Sequence, residues 1–513
     1  MQLYLCSIII FLNSCSNQGS LKTGELSPWD KGQTELSQEV KTPIIYSKTF
    51  EREREKFNYA PRFIPMRPSF TPDNQVVIRF GLQGEIGSSK MASSNALSEK
   101  NYIQILTENG RWRTIESHIK ALRAYLQLSD AEQLLIKSGD RTPDMIEFDG
   151  KGNAYTIVEA KVKNKEEKYL LFSNDKMKTW QVFELSPAEW RLESDLFHNN
   201  RSVPPALLGK NKAGIILAPL KIVDNQLQKG QDILLAKVAK ARLRNVMSGA
   251  GNCSVTVGTK TFVVYMLNEH RNGLKGVPHY ILSYDHQTGD ITEPLLLGES
   301  GHRLDLHNTP VIAVDSKGYL HVILGAHWHS MPYLKSKKPA NFTEWSDVRY
   351  IAGNGDNRWS RNGLSYPGLL IDQKDTLHLV VRGRNAHFVK SDSTDPADPK
   401  DYGPHLNYAL VYLRKKTGQA WEERKDLVIL KNHLNYSNFY HKTALDKKGK
   451  LYVSYMYYAH DLSDKDKDIY HEKWPAKTTN LNKPPYVAHD PVLIYSNDGG
   501  DSWQITETKD FLQ

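Results

Sequence analysis

VIAVDSKGYLHVIL (311–324), LLIDQKDTLHLVVR (369–382) and TALDKKGKLYVSYM (443–456) are three copies of one unit. Each is a strand that runs into an Asp-led polar turn and comes back as a second strand carrying Tyr, His or Val. The unit recurs upstream at SFTPDNQVVIRF (69–80), IEFDGKGNAYTIVEA (146–160), ALLGKNKAGIILAPL (206–220) and SVTVGTKTFVVYML (254–267). A further strand and a polar turn follow each copy, often with a Trp soon after, as in LFSNDKMKTW (171–180) and IYSNDGGDSW (494–503). The copies repeat every fifty to seventy-five residues or so, roughly the length of a four-stranded blade. Four strands per unit, seven times over, predict an all-β chain folded as a seven-bladed β-propeller, whose ring closure protects the sheet edges.

The last unit holds the clearest motif. Ser496 to Trp503 fits S-x-D-x-G-x-x-W, the Asp-box pattern, and Ser173 to Trp180 is a degenerate copy. The Asp and Gly suit a tight turn and the Trp suits packing, so both copies are read as structural. One stretch breaks the β pattern: 116–127 and 129–139 read as two short helices, with Ser129 and Glu132 as a capping box and Gly139 as a stop. They are expected to form a small helical insertion on the first blade.

The chain has 513 residues, of which 39% are hydrophobic and 24% charged. That is a globular composition with enough apolar residues for a large core. The net charge of +9 suits attraction to an acidic glycan, and no Lys/Arg run resembles a nucleic-acid arm. Residues 1–15 read as a lipoprotein-type signal peptide, 16–45 as a polar tether and 46–513 as the propeller. The apolar stretch at 3–14 is too short to span a bilayer, and Leu12-Asn13-Ser14-Cys15 resembles a lipobox. Cys15 is therefore the expected lipidation site, and the protein is expected to be exported, anchored to a membrane and monomeric. With Cys15 acylated, Cys253 is the one thiol left, which leaves no internal disulfide and no Cys-based metal site.

Chemistry in a propeller collects where strand ends of successive blades converge on the axis. His307 in LDLHNTP and His327 in GAHWH flank one hairpin, which returns the chain to where it started. The two imidazoles are expected to be neighbours and to transfer protons near neutral pH. Asn308 adjoins the first. NRWSRNGLSYPG brings Arg358, Arg361 and Tyr366, VVRGRN brings Arg382, and NYSNFYHKT brings Tyr436, Tyr440 and His441. An earlier His-Asn pair, His198-Asn199, is followed by Arg201. His321 and His378 sit inside strands and are read as structural. This set lacks the carboxylate pair that glycoside hydrolysis usually needs. It suits β-elimination on a uronic acid. An Arg neutralises the carboxylate, a Tyr or His removes the C5 proton, and a second such group protonates the oxygen leaving C4. No cofactor is required for that chemistry.

LDLHNTPVIAVDSKGYLHVILGAHWH, followed by SYPG and VVRGRN, resembles the propeller-type ulvan lyases and related Asp-box repeat proteins, best over about 300–455. The resemblance implies His307 and His327 as the catalytic pair, Tyr366 beside them, Arg382 as carboxylate neutraliser and Tyr440 as a further catalytic Tyr, with Tyr436 as its alternative. Asn308, Arg358, Arg361, His198 and Arg201 are candidate substrate contacts. Some members of the family carry a structural metal ion; its ligands have no assignment here, although His433, His441, His460 and His471 form a loose His-rich region. The implied partner is an acidic oligosaccharide or polysaccharide such as ulvan. A terminal uronate with a free 4-hydroxyl would lose water, which makes a dehydratase the sister outcome of a lyase. A sialidase-type hydrolase and a non-catalytic glycan-binding propeller are the competing classes. The first expects an early-blade Arg-Asp arrangement that is not found.

Overall fold

A computed structural model describes residues 33–36, 68–81, 96–98, 101–107, 112–138, 146–162, 165–193, 204–243, 251–301, 304, 306–351, 363–384, 408–431, 437–459 and 487–505. Among them, seven sheets of at least four antiparallel strands follow one another in chain order, giving the seven blades of a β-propeller. Blade five consists of Val311–Val314, Leu320–Ile323, Met331–Lys335 and Arg349–Ile351. Blade six is built on Leu364–Ile371, Leu377–Arg384, Tyr408–Lys415 and Lys425–Lys431, and Gln33–Leu36, within the stretch read as a tether, pairs along its outer strand. Blade seven consists of Ser437–Leu445, Leu451–Ala459, Val487–Ser496 and Gln504–Ile505.

Each blade packs both faces against its neighbours. A central strand therefore reads as a nearly continuous apolar run: Phe262 to Leu267 in blade four are all buried. The largest apolar cluster runs through blades three, four and five, from Leu208 past Val263 and Ile281 to Val322.

The turns between first and second strands form one face, where neighbouring turns are joined. Asp375 Oδ1 accepts from the Ser316 amide (2.7 Å), linking blades five and six, and Gln373 Nε2 donates to the Lys447 carbonyl (3.0 Å), linking six and seven. The ring closes where Asn74 of blade one donates to Asp446 (3.2 Å) and accepts from the Lys447 amide (2.8 Å). The turn Asp residues are committed inward. Asp315 accepts from the Lys317 and Tyr319 amides and meets His321 Nε2 at 3.2 Å, while His321 Nδ1 meets the Tyr333 hydroxyl. His378 repeats this pattern with Asp372 and Tyr412. Both histidines are structural, as read from their place inside strands.

The two Asp-boxes share one geometry. Asp498 accepts from Ser496 and Ser502, and Asp175 accepts from Ser173 and Thr179. Where the intact copy turns left-handed at Gly499 and Gly500, the degenerate copy does so at Lys176 and Met177.

The second expected helix is a strand. Ser117–Tyr125 is the one α-helix among the described residues, and its buried side chains His118 and Leu122 lie toward blade two, whose degenerate Asp-box it braces through Ser117. Glu132 does accept from the Ser129 amide (2.9 Å), one half of a capping box, but for a single turn. Leu134 and Ile136 then alternate into the core, and Leu135–Ser138 pairs with the second strand of blade two. Tertiary pairing of an apolar period-two stretch outweighs a local helix start.

Candidate active site

His307 sits in a short 3-10 turn, Leu306–Asn308, just before the first strand of blade five. Two glycines make room for that turn. A Cβ on Gly325 would lie 2.1 Å from the Thr309 carbonyl oxygen, and one on Gly301 would lie 2.3 Å from Asn308 Oδ1. From blade four, His279 Nε2 donates to the Asn308 carbonyl at 2.7 Å. A carbonyl only accepts, so that nitrogen carries the proton. Burial lowers His279 to about 4, which keeps it a neutral brace.

The chain then crosses blades. His327–His329 leaves blade five and pairs with the inner strand of blade six, His327 opposite Ser365 and His329 opposite Leu364. Within blade six, Ser365 opposes Arg382 and Gly368 opposes Val380, so Tyr366 and Pro367 together stand against Val381 alone. This is a β-bulge. At its apex Tyr366 has φ +59°, the left-handed region that a residue with a Cβ rarely adopts.

These features bring five of the sequence-selected residues together. The His307 and His327 rings stack with centroids 3.7 Å apart and planes 7° from parallel. The Tyr366 ring lies 4.6 Å from that of His307. The Arg382 guanidinium carbon is 4.4 Å from the centre of the Tyr366 ring. Tyr440, from blade seven, meets Tyr366 edge-on at 5.7 Å. His307 is partly exposed, His327 and Tyr440 are buried, and Tyr366 and Arg382 are 1% and 0% exposed. Asn308 is also fully buried. The site is thus one partly exposed imidazole stacked on a buried one, two buried phenols and one enclosed guanidinium.

Arg358, Arg361, His198, Arg201, Tyr436 and the lipidation candidate Cys15 lie outside the described residues. So do His433, His460 and His471 of the His-rich region. Its fourth member, His441, is fully buried with Nε2 3.0 Å from the Val380 carbonyl. Among the described residues no cluster of three or more His, Cys, Asp or Glu could hold a metal ion. His279 and His441 were not selected as brace residues from the sequence. Their partners lie 29 and 61 residues away, and no local pattern announces such a bond.

Residues 262–511 match a family described as BNR repeat-containing family member. Blades five to seven, and with them the whole constellation around Tyr366, fall inside the matched stretch. The chain is also similar to the ulvan lyase of Pseudoalteromonas sp. (strain PLSV), 28% identical over 115 residues, which is 17% of this chain and 24% of that protein. A second ulvan lyase, from Alteromonas sp. (strain LOR), is 27% identical over 115 residues, with the same coverage. The matched stretch therefore spans about a quarter of the length of these curated relatives. Among solved structures, an ulvan lyase of polysaccharide lyase family PL25 aligns with a TM-score of 0.34 and 16% identity over 50% of this chain and 54% of that one. The endosialidase of phage phi92 aligns with a TM-score of 0.34 and 10% identity over 84% and 69%.

Proposed function

We propose that the protein is a carbon–oxygen lyase that cleaves uronic-acid residues of an acidic glycan such as ulvan by β-elimination. The observation that carries this reading is the contact set of one guanidinium, one phenol and two stacked imidazoles, contributed by two adjacent blades.

The C5 proton of a uronate is weakly acidic because the ionised carboxylate resists further negative charge. Arg382, held in the enclosed floor of the site, supplies positive charge where the carboxylate takes on enolate character. Its effect there is greater than in water because the surroundings are poorly polarisable. Two imidazolium ions at the separation of His307 and His327 would repel by about 4 kcal/mol at an effective dielectric constant near 20, so at most one of the two is charged. The protonated partner serves as acid toward the oxygen on C4, and Tyr366 or the neutral imidazole takes the proton from C5. The C5–H and C4–O bonds break, a C4=C5 double bond forms, and one proton passes from the sugar to the enzyme while another passes to the leaving oxygen. Tyr440, against Tyr366, completes the catalytic set. No cofactor takes part in these steps.

Whether sugar or water leaves depends on what C4 carries: an internal uronate releases a sugar, as in a polysaccharide lyase, and a terminal one releases water, as in an oligosaccharide dehydratase. The signal-like N-terminus and Cys15 suit an exported protein anchored at a membrane, where such a glycan would be met. Incubation with ulvan and its oligosaccharides, followed by ultraviolet absorbance and mass spectrometry, tests the reading. An unsaturated product supports elimination, and loss of water without chain cleavage selects the dehydratase. A gain of water at the cut would make the protein a hydrolase, and unchanged glycan would make it a binder.

A further inference from the structure

We propose that His441 is a positioning residue: from blade seven it holds open the bulge that presents Tyr366, and so sets where the phenol stands. The inference rests on the elimination reading of the site.

Tyr366 needs support. A non-glycine residue in the left-handed region is strained and persists only where its surroundings over-determine it. The bulge also removes a rung of the ladder between the first two strands of blade six, and Pro367 brings no amide hydrogen to it. The carbonyl of Val380, level with the far side of the bulge, is met by His441 Nε2 at 3.0 Å. A side chain of blade seven thus takes up a carbonyl of blade six beside the point where that blade's own pairing lapses.

His441 is suited to this and to little else. It is fully buried, and its Nε2 is already given to the Val380 carbonyl. Burial first, then the nearby charges of Lys442 and Arg382, push it down to about 3. It therefore stays neutral and adds no second charge beside the guanidinium that the elimination requires. The strand that carries it also carries Tyr440, which packs against the Tyr366 ring. Strand Ser437–Leu445 thus meets the bulge twice, at the Tyr366 ring through Tyr440 and at the Val380 carbonyl through His441.

The test compares His441→Leu, His441→Gln and, as a control, His118→Gln. His118 is an equally buried imidazole in the helix beside blade two, where it meets Asn101 Oδ1 at 3.2 Å. Release of ultraviolet-absorbing product from uronate oligosaccharides gives kcat and KM, and thermal melts give stability. His441→Leu should lose about a hundredfold in kcat with KM changed by no more than about threefold, the signature of a misplaced group. His441→Gln, which keeps a donor, should recover part of that loss. His118→Gln should melt earlier and keep native kcat. Native kcat in folded His441→Leu would overturn the proposal, as would an equal loss of kcat in His118→Gln at matched stability. A crystal structure of His441→Leu, or of His441→Asn if the leucine variant does not fold, reads the same point without any substrate. Tyr366 should leave the left-handed region; Tyr366 unmoved would refute the inference even if elimination proves correct. Because that readout involves no turnover, it separates failure of this inference from failure of the elimination reading.

Discussion

His307 and His327 stack face to face at 3.7 Å although twenty residues and a complete hairpin separate them in the chain. The hairpin alone does not produce that contact. It also needs Gly325, where the returning strand passes so close to the Thr309 carbonyl that no side chain fits. Gly325→Ala should therefore push His327 away from His307. The expected result is a loss of activity of about a hundredfold together with an earlier thermal transition. Native turnover in that variant would show that the stack is not needed.

Each member of the cluster can be removed singly. His307→Ala, His327→Ala and Tyr366→Phe should each lower kcat by about a hundredfold to ten-thousandfold, the range for loss of a proton-transfer group, while circular dichroism stays that of the native protein. Tyr366→Phe is the cleanest of the three, since it removes one oxygen and leaves the ring contacts with His307, Arg382 and Tyr440 in place. Native rates in any one variant would remove that residue from the mechanism.

Arg382 is enclosed, so its replacement tests charge and shape together. Arg382→Lys keeps the charge but loses the planar fork that fits a carboxylate. It should turn over measurably and slower than native. Arg382→Ala should be inactive and also less stable, because it leaves a cavity in the floor of the site. Equal activity in the two variants would argue against a charge-based role.

Much of this site was legible because its residues sit at strand ends of a repeated hairpin. Aligning 311–324 with 369–382 and 443–456 places His307, Tyr366 and Tyr440 three or four residues ahead of the repeated unit, the two tyrosines in the opening half of a first strand, and His327 and Arg382 at or after the unit's end. What escaped is held by distance rather than by pattern. Nothing around His279 or His441 marks a bond to another blade, and SYPG does not announce a bulge. Leu134 to Ser138 was mistaken for helix because a genuine capping contact precedes it, and its strand partner lies about 25 residues downstream.

Acid should weaken the fold in a definite window. Burial holds His118 and His441 down to about 3 and His279 to about 4, against 6.5 for an unperturbed imidazole. All three are neutral in the folded protein at pH 6.5, whereas the unfolded chain takes up protons as pH falls below that value. Stability is therefore level above about pH 6.5 and is lost as pH falls from there toward about 4. Asp315, depressed to about 2 with hydrogen bonds from His321 and the Tyr319 amide opposing its burial, adds a further loss only at lower pH. Thermal melts from neutral to mildly acidic pH should show a falling transition temperature, and a flat profile would contradict the neutral braces.

The Asp-boxes offer a stability test far from the chemistry. Lys176 is exposed at φ +59° where the intact motif has Gly499 at +69°. Lys176→Gly should be neutral or stabilising by up to about 1 kcal/mol, and Gly499→Ala should destabilise by about 1 kcal/mol. Gly500→Ala should do more harm, since its Cβ would fall 2.0 Å from the Tyr412 hydroxyl. Chemical denaturation reads all three, and activity should follow stability alone.

A uronate oligosaccharide carrying deuterium at C5 tests the central claim most directly. Absorbance of the unsaturated product should grow more slowly than with the ordinary sugar, and mass spectrometry should find the product without its label. Label retained in a cleaved product would mean that the C5 proton is never taken, and that the cluster around Tyr366 does some other chemistry.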